Sequence, residues 1–171
     1  MIEYDGSFGE GGGQVIRSSL ALSLMTGESF HLYNLRANRK KPGLQPQHLA
    51  SVRAAAAIGQ AETRGAALNS RDLVFEPGPV QAGEYDVRIQ TAGALSLAFH
   101  TVYLPLALRT NQPSELRLTG GTHVRASPSF QFLDSTWRGY ASLLGLGIDL
   151  RLDRLGFYPK GGGSVWAQVQ P

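Results

Sequence analysis

Apolar residues recur along this chain with two periods, and the alternation between them lays out its elements. Between residues 14 and 25, Val15, Ile16, Leu20, Leu22 and Leu24 repeat at helical spacing, and Gly27 follows where a left-handed residue would close the helix. Residues 2–4 and 30–35 alternate apolar and polar instead, as strands do. Residues 36–47, RANRKKPGLQPQ, show no period and contain Pro42 and Pro46, which predicts a loop. A second helix is predicted over residues 46–58, with proline suited to its first turn and Leu49, Val52 and Ala56 along one side. Two short strands, residues 61–64 and 72–75, complete the order β-α-β-α-β-β.

Beyond the Pro-Gly-Pro turn at residues 77–79 the same order returns. Residues 85–89 alternate as a strand, and 91–108 read as a helix begun by a small-residue turn at Ala92 and Gly93. A strand at 116–118, a loop at 119–129, a helix at 130–144 stopped by Gly145, and strands at 148–152 and 164–169 around GFYPKGGG finish the unit. The expected fold is α/β, with tandem βαβαββ repeats at residues 1–79 and 80–171. Each would be a mixed four-stranded sheet packed against two helices. In this alignment RANRKKPGLQPQ and TGGTHVRASPS occupy equivalent places, each joining the second strand of a unit to its second helix.

The stretch DGSFGEGGGQVIRS, residues 5–18, concentrates chemistry at the first strand-to-helix junction. Gly9, Gly11, Gly12 and Gly13 allow positive φ and close approach to bare N–H groups, at the positive end of a helix dipole where anions are favoured. Glu10 repels an anion unless a cation lies between them, while Arg17 is one turn into the helix. The spacing is neither a P-loop nor a GxGxxG dinucleotide fingerprint.

Charge sharpens that picture. The surplus is modest, 16 Lys and Arg against 13 Asp and Glu, but Arg36, Arg39, Lys40 and Lys41 fall in one loop with Arg53 further along the next helix. Forked guanidinium donors at spacing three, with Gln47 heading a helix, suit phosphate, and His123 and Arg125 add two donors from the equivalent loop of the second unit. Both loops and the glycine turn would face one cleft at the same end of the strands. Without cysteine there is no disulfide, thiolate metal site or thiol nucleophile. No apolar run approaches the roughly 18 residues of a membrane span and no signal sequence begins the chain, so no membrane is expected and the cytoplasm is the default compartment.

DGSFGEGGGQVIRSSLALS, RKKPGLQPQHL, TAGALSLAFHTVYLP, GGTH at residues 120–123 and GFYPKGGG, taken in order, resemble the RNA 3′-terminal phosphate cyclase family over essentially the whole chain. The resemblance implies repeated βαβαββ units, generally three plus a small inserted domain. It implies use of ATP and of Mg²⁺ or Mn²⁺ to convert an RNA 3′-phosphate to a 2′,3′-cyclic phosphate. A histidine would take AMP from ATP, AMP would pass to the RNA phosphate, and the neighbouring 2′-OH would displace it. Carried over by position, Glu10 corresponds to a metal-contacting carboxylate, and Arg17, Arg36, Arg39 and Gln47 to the RNA phosphate site. Gly11, Gly12, Gly13, Gln14, His48, His123 and Arg125 are further expected contacts.

The chain also departs from the family's pattern. His100 stands where glutamine is expected and, inside an apolar helix, reads as a buried structural histidine; Val124 and Ala126 lie in a loop where members vary. His31, His48, His100 and His123 do not match the nucleophile, which the family carries in its last repeat. The third repeat and inserted domain are absent from this sequence, so a fragment, a split gene product or a shortened homologue is expected rather than a stand-alone cyclase. The expected partners are RNA with a 3′-phosphate end and, for the missing part, a C-terminal half on another chain or self-association. Two function classes remain open: the substrate-holding part of a cyclase, and a non-catalytic RNA-end-binding or ribosome-biogenesis module of the same family. The enolpyruvyl transferases share βαβαββ units and bind phosphate anions, but RKKPGLQPQH does not resemble their motifs.

Overall fold

The computed structural model describes residues 1–9 and 11–171, so Glu10 lies outside the described residues. The first sheet contains β1 (Ile2–Asp5), β2 (Phe30–Tyr33), β3 (Glu62–Arg64) and β4 (Leu73–Glu76) in the order β1-β2-β4-β3. Strands β1 and β2 are parallel and need a crossover, which α1 (Gly13–Thr26) supplies; the other pairings are antiparallel. The second sheet repeats order and direction with β5 (Glu84–Arg88), β6 (Ser114–Gly120), β7 (Ile148–Arg154) and β8 (Gly163–Val169), ordered β5-β6-β8-β7. Its crossover is α3 (Leu95–Arg109).

Alternation buries one face of each sheet. Phe30 and Leu32 of β2 point inward with Leu73 and Phe75 of β4, and the rings of Phe30 and Phe75 stack at 5.6 Å. Ile16, Leu20 and Leu24 of α1 cover them with Val52, Ala55 and Ile58 of α2 (Pro46–Ile58). Both α1 and α2 pack on α3, and α2 also meets β5, so the two sheets and their helices share one continuous core.

Several elements differ from the periodicity: α3 begins at Leu95 rather than at 91, because residues 91–94 form a turn closed by a bridge between Ala94 and Gly121, and β7 runs on to Arg154. Strand β2 stops at Tyr33, two residues early, because Asn34 takes a left-handed φ of 53° and turns the chain out of the sheet. Strand β6 is longer than its apolar triplet, since its full length pairs with β8. The helix expected over 130–144 is widened by a π-helical turn (Phe132–Trp137) that runs into α4 (Arg138–Leu143). Ser135 Oγ donates to the Gln131 carbonyl and Arg138 Nε to that of Asp134, occupying carbonyls along the widened turn. Among the described residues no helix is long and apolar enough to cross a membrane.

Candidate functional site

The loop leaving β1 is shaped by short-range hydrogen bonds. The backbone amide and hydroxyl of Ser7 donate to Asp5 Oδ1 at 2.9 and 2.7 Å, which lowers the Asp5 pKa, and the Gly6 amide donates to the Tyr33 carbonyl at 2.7 Å. Gly9 and Gly11 take left-handed φ of 62° and 56°. Gly12 caps α1 in extended conformation without a side-chain hydrogen bond, so no side chain of the cap satisfies the amides of the first turn.

The loop leaving β2 lies alongside, with Asn38 Nδ2 3.4 Å from the Ser7 carbonyl. Its conformation depends on Arg36, itself left-handed at φ 55°, whose Nε and Nη2 donate to the carbonyls of Gly43 and Lys41 at 3.1 and 3.0 Å. Two of the forked donors expected to face a phosphate therefore close their own loop. At the head of α2, His48 Nδ1 accepts the Gln45 amide at 3.1 Å. That bond assigns the proton of the neutral ring to Nε2. Gln47 Oε1 accepts the Ala94 amide at 3.3 Å, tying the start of α2 to the start of α3 and leaving the Gln47 NH2 group 3.5 Å from His48 Nε2.

Arg17 reaches the same point from α1. It is only 6% exposed, and its Nη2 donates to Gln14 Oε1 at 3.0 Å while Nε is buried without a hydrogen-bond partner. Among the described residues no carboxylate pairs with it. A methyl group built on Gly13 would stand 2.3 Å from His48 Nε2 and 3.0 Å from Arg17 Nη1, so glycine leaves the room in which these side chains meet. Burial, then Arg36, then Arg17 push the His48 pKa down to about 3, and burial lowers that of Arg17. Burial and neighbouring Arg39 lower that of Arg36.

Buried Arg17 and His48 Nε2–H, with the half-buried Gln47 amide, thus form a set of N–H donors beside a helix start whose cap residue makes no side-chain hydrogen bond. A buried cation without a counter-charge is costly, and an entering anion relieves that cost. A phosphate oxygen fits every donor in the set.

Other expected contacts are placed differently. Gln14 is exposed, holding Arg17 through Oε1 and donating from Nε2 to Ser18 Oγ at 3.0 Å. His123 is bonded through Nε2 to Gln131 Oε1, has Thr122 Oγ1 2.8 Å from Nδ1, and packs on Phe157 at 5.4 Å. Its ring is therefore committed to the loop around it. Arg125 is exposed on a cleft of about 580 Å³ that also includes Gln47. His100 is exposed rather than buried: Phe99, Val102 and Leu106 take the inner face of α3, and His100 borders a groove beside Gln14. Partial burial and nearby Arg17 lower its pKa. The Ala94 amide and Gly93 lie in the small-residue stretch that the sequence marks but are not among the expected site contacts, since their contribution is backbone. Their signal is size alone: a methyl on Gly93 would lie 2.9 Å from Gln47 Cβ.

The sequence profile of RNA 3′-terminal phosphate cyclases matches residues 8–171, a span that holds the glycine turn and every donor of the buried set. The chain belongs to the RNA 3′-terminal phosphate cyclase family. Relatives bearing that name from Caldivirga maquilingensis, Ectopseudomonas mendocina and Archaeoglobus fulgidus are 48%, 44% and 45% identical over all 171 residues. These 171 residues cover 48%, 49% and 52% of the respective cyclases, so the chain spans about half the length of the curated relatives it matches.

Proposed function

We propose that this chain holds the 3′-terminal phosphate of an RNA strand for ATP-dependent conversion to a 2′,3′-cyclic phosphate. The observation that carries the reading is the buried Arg17 guanidinium, with no carboxylate partner among the described residues, beside the Nε2–H of His48 and the Gln47 amide. A terminal phosphate carries about −1.5 to −2 charges near neutral pH and offers acceptor oxygens on several sides. Arg17 would neutralise it, His48 and Gln47 would fix its rotation, and the first-turn amides of α1 would complete the cradle. Reduced charge lowers the repulsion met by an approaching nucleophilic oxygen, so holding the group also prepares it for reaction.

The uncapped start of α1 and the donors beside it fit a phosphate-bearing group, and ATP, whose use the family implies, would supply the activation of the RNA phosphate. The divalent-ion expectation rests on Glu10, outside the described residues. Among those residues there is no group of three His, Cys, Asp or Glu side chains that could hold a metal ion. A chain carrying further units, or a second copy of this one, is the proposed partner for its exposed apolar surface. The cytoplasm is the proposed compartment.

Fluorescence anisotropy at fixed salt tests the reading with one short RNA ending in a 3′-phosphate or a 3′-hydroxyl. The phosphorylated strand is expected to bind more tightly, and Arg17→Met to remove about 1.5–3 kcal/mol of that preference. Equal affinities of the unaltered chain for the two ends would overturn the assignment.

A further inference from the structure

Gln47 is where the buried donor set meets open surface. It lies beside His48 on one side and lines the cleft of about 580 Å³ on the other, whose remaining wall includes Leu97, Val124, Arg125, Ser127 and Tyr158. Ser127 Oγ donates to the Val124 carbonyl at 2.9 Å, closing the loop that carries Arg125. The turn carrying Tyr158 is pinned in turn: the Gly156 amide donates to Thr122 Oγ1 at 2.9 Å, the Thr122 amide to the Gly156 carbonyl at 2.9 Å, and the Phe157 ring rests on His123. On that fixed turn Tyr158 is 82% exposed. Arg125 is exposed too, and among the described residues it makes no hydrogen bond or ion pair.

We infer that this cleft is the track for the nucleotides preceding the terminal phosphate, with Tyr158 as a base-stacking platform and Arg125 as a backbone-phosphate contact. An aromatic ring beside a free cation, on a groove continuous with a buried anion site, is the combination that holds single strands without reading sequence. Apolar Leu97 and Val124 give sugar and base edges a surface to cover, and Gln47 marks the passage to the terminal phosphate. The inference rests on the phosphate reading for its direction, strand end inward. The track itself depends on the cleft.

Binding of the full chain to a 3′-phosphorylated tetranucleotide and to adenosine 3′-phosphate separates the two. Tyr158→Ser and Arg125→Gln are each expected to weaken the tetranucleotide roughly tenfold, the scale of one lost stacking or phosphate contact, and to leave adenosine 3′-phosphate unchanged. Tyr158→Phe should retain full affinity, since stacking needs only the ring. Both substitutions leaving the tetranucleotide unaffected, or weakening both ligands equally, would overturn the track. A tetranucleotide that binds equally with a 3′-hydroxyl but still loses affinity in Tyr158→Ser would remove the phosphate reading and support the track.

Discussion

Arg17 is the residue in which sequence and structure meet most closely. Its place one turn into α1 puts it at the glycine turn by helical geometry, but its 6% exposure without a carboxylate partner among the described residues is a product of how α1, α2 and α3 come together. Arg17→Met is expected to stabilise the ligand-free chain by about 1–3 kcal/mol, because it removes a buried charge that no carboxylate among the described residues balances, while abolishing stabilisation by added phosphate. Urea unfolding with and without phosphate measures both effects; destabilisation without phosphate would contradict the unpaired-charge account. His48 gives a pH prediction. In the folded chain it stays neutral down to about pH 3, whereas an unfolded histidine takes up its proton near 6.5. The unfolded state therefore binds the extra proton in between, and stability falls as pH drops through that window, by up to about 1.4 kcal/mol per unit. His48→Gln should flatten this slope in acid-unfolding curves; an unchanged slope would place the titration elsewhere. Residue identity alone could not separate Arg36 and His123 from Arg17. What distinguishes them is that donors of each are engaged within their own loops, Arg36 Nε and Nη2 by loop carbonyls and His123 Nε2 by Gln131.

Helical and strand periods made the elements legible, because apolar spacing reports which face is buried. The breaks were not, since they depend on single backbone angles and on partners distant in sequence. Asn34 ends β2 through its left-handed φ, and the π-helical turn before α4 widens a helix whose apolar spacing alone reads as regular. The exposure of His100 was hidden for a related reason: an apolar run in sequence does not say which face of α3 remains uncovered. The loop between β2 and α2 depends on Gly43, at φ 73°, where a methyl would stand 2.3 Å from the Asn69 carbonyl oxygen. Gly43→Ala is expected to cost at least about 1–2 kcal/mol in chemical unfolding and to loosen the loop carrying Arg36 and Arg39. An unfolding midpoint equal to that of the unaltered chain would show that the loop accommodates the change.

At the scale of the whole molecule, the two sheets share order and strand direction, and we propose the Pro-Gly-Pro turn at 77–79 as the boundary between two copies of one unit. Contacts of α1 and α2 with α3 join the copies, and the buried donors stand where those helices meet. Tyr140, Leu143 and Leu144 remain 67%, 83% and 81% exposed on and just beyond α4, an apolar surface a partner would cover. Sedimentation velocity is expected to show concentration-dependent self-association that Leu143→Glu with Leu144→Lys reduces; a monomer at all concentrations would remove self-association as the means of covering it. The most direct test of the central claim is a crystal structure with a 3′-phosphorylated dinucleotide. The account predicts the terminal phosphate within hydrogen-bonding distance of Arg17, His48 Nε2 and the Gln47 amide. A phosphate bound elsewhere, with Arg17 still unpaired, would contradict it.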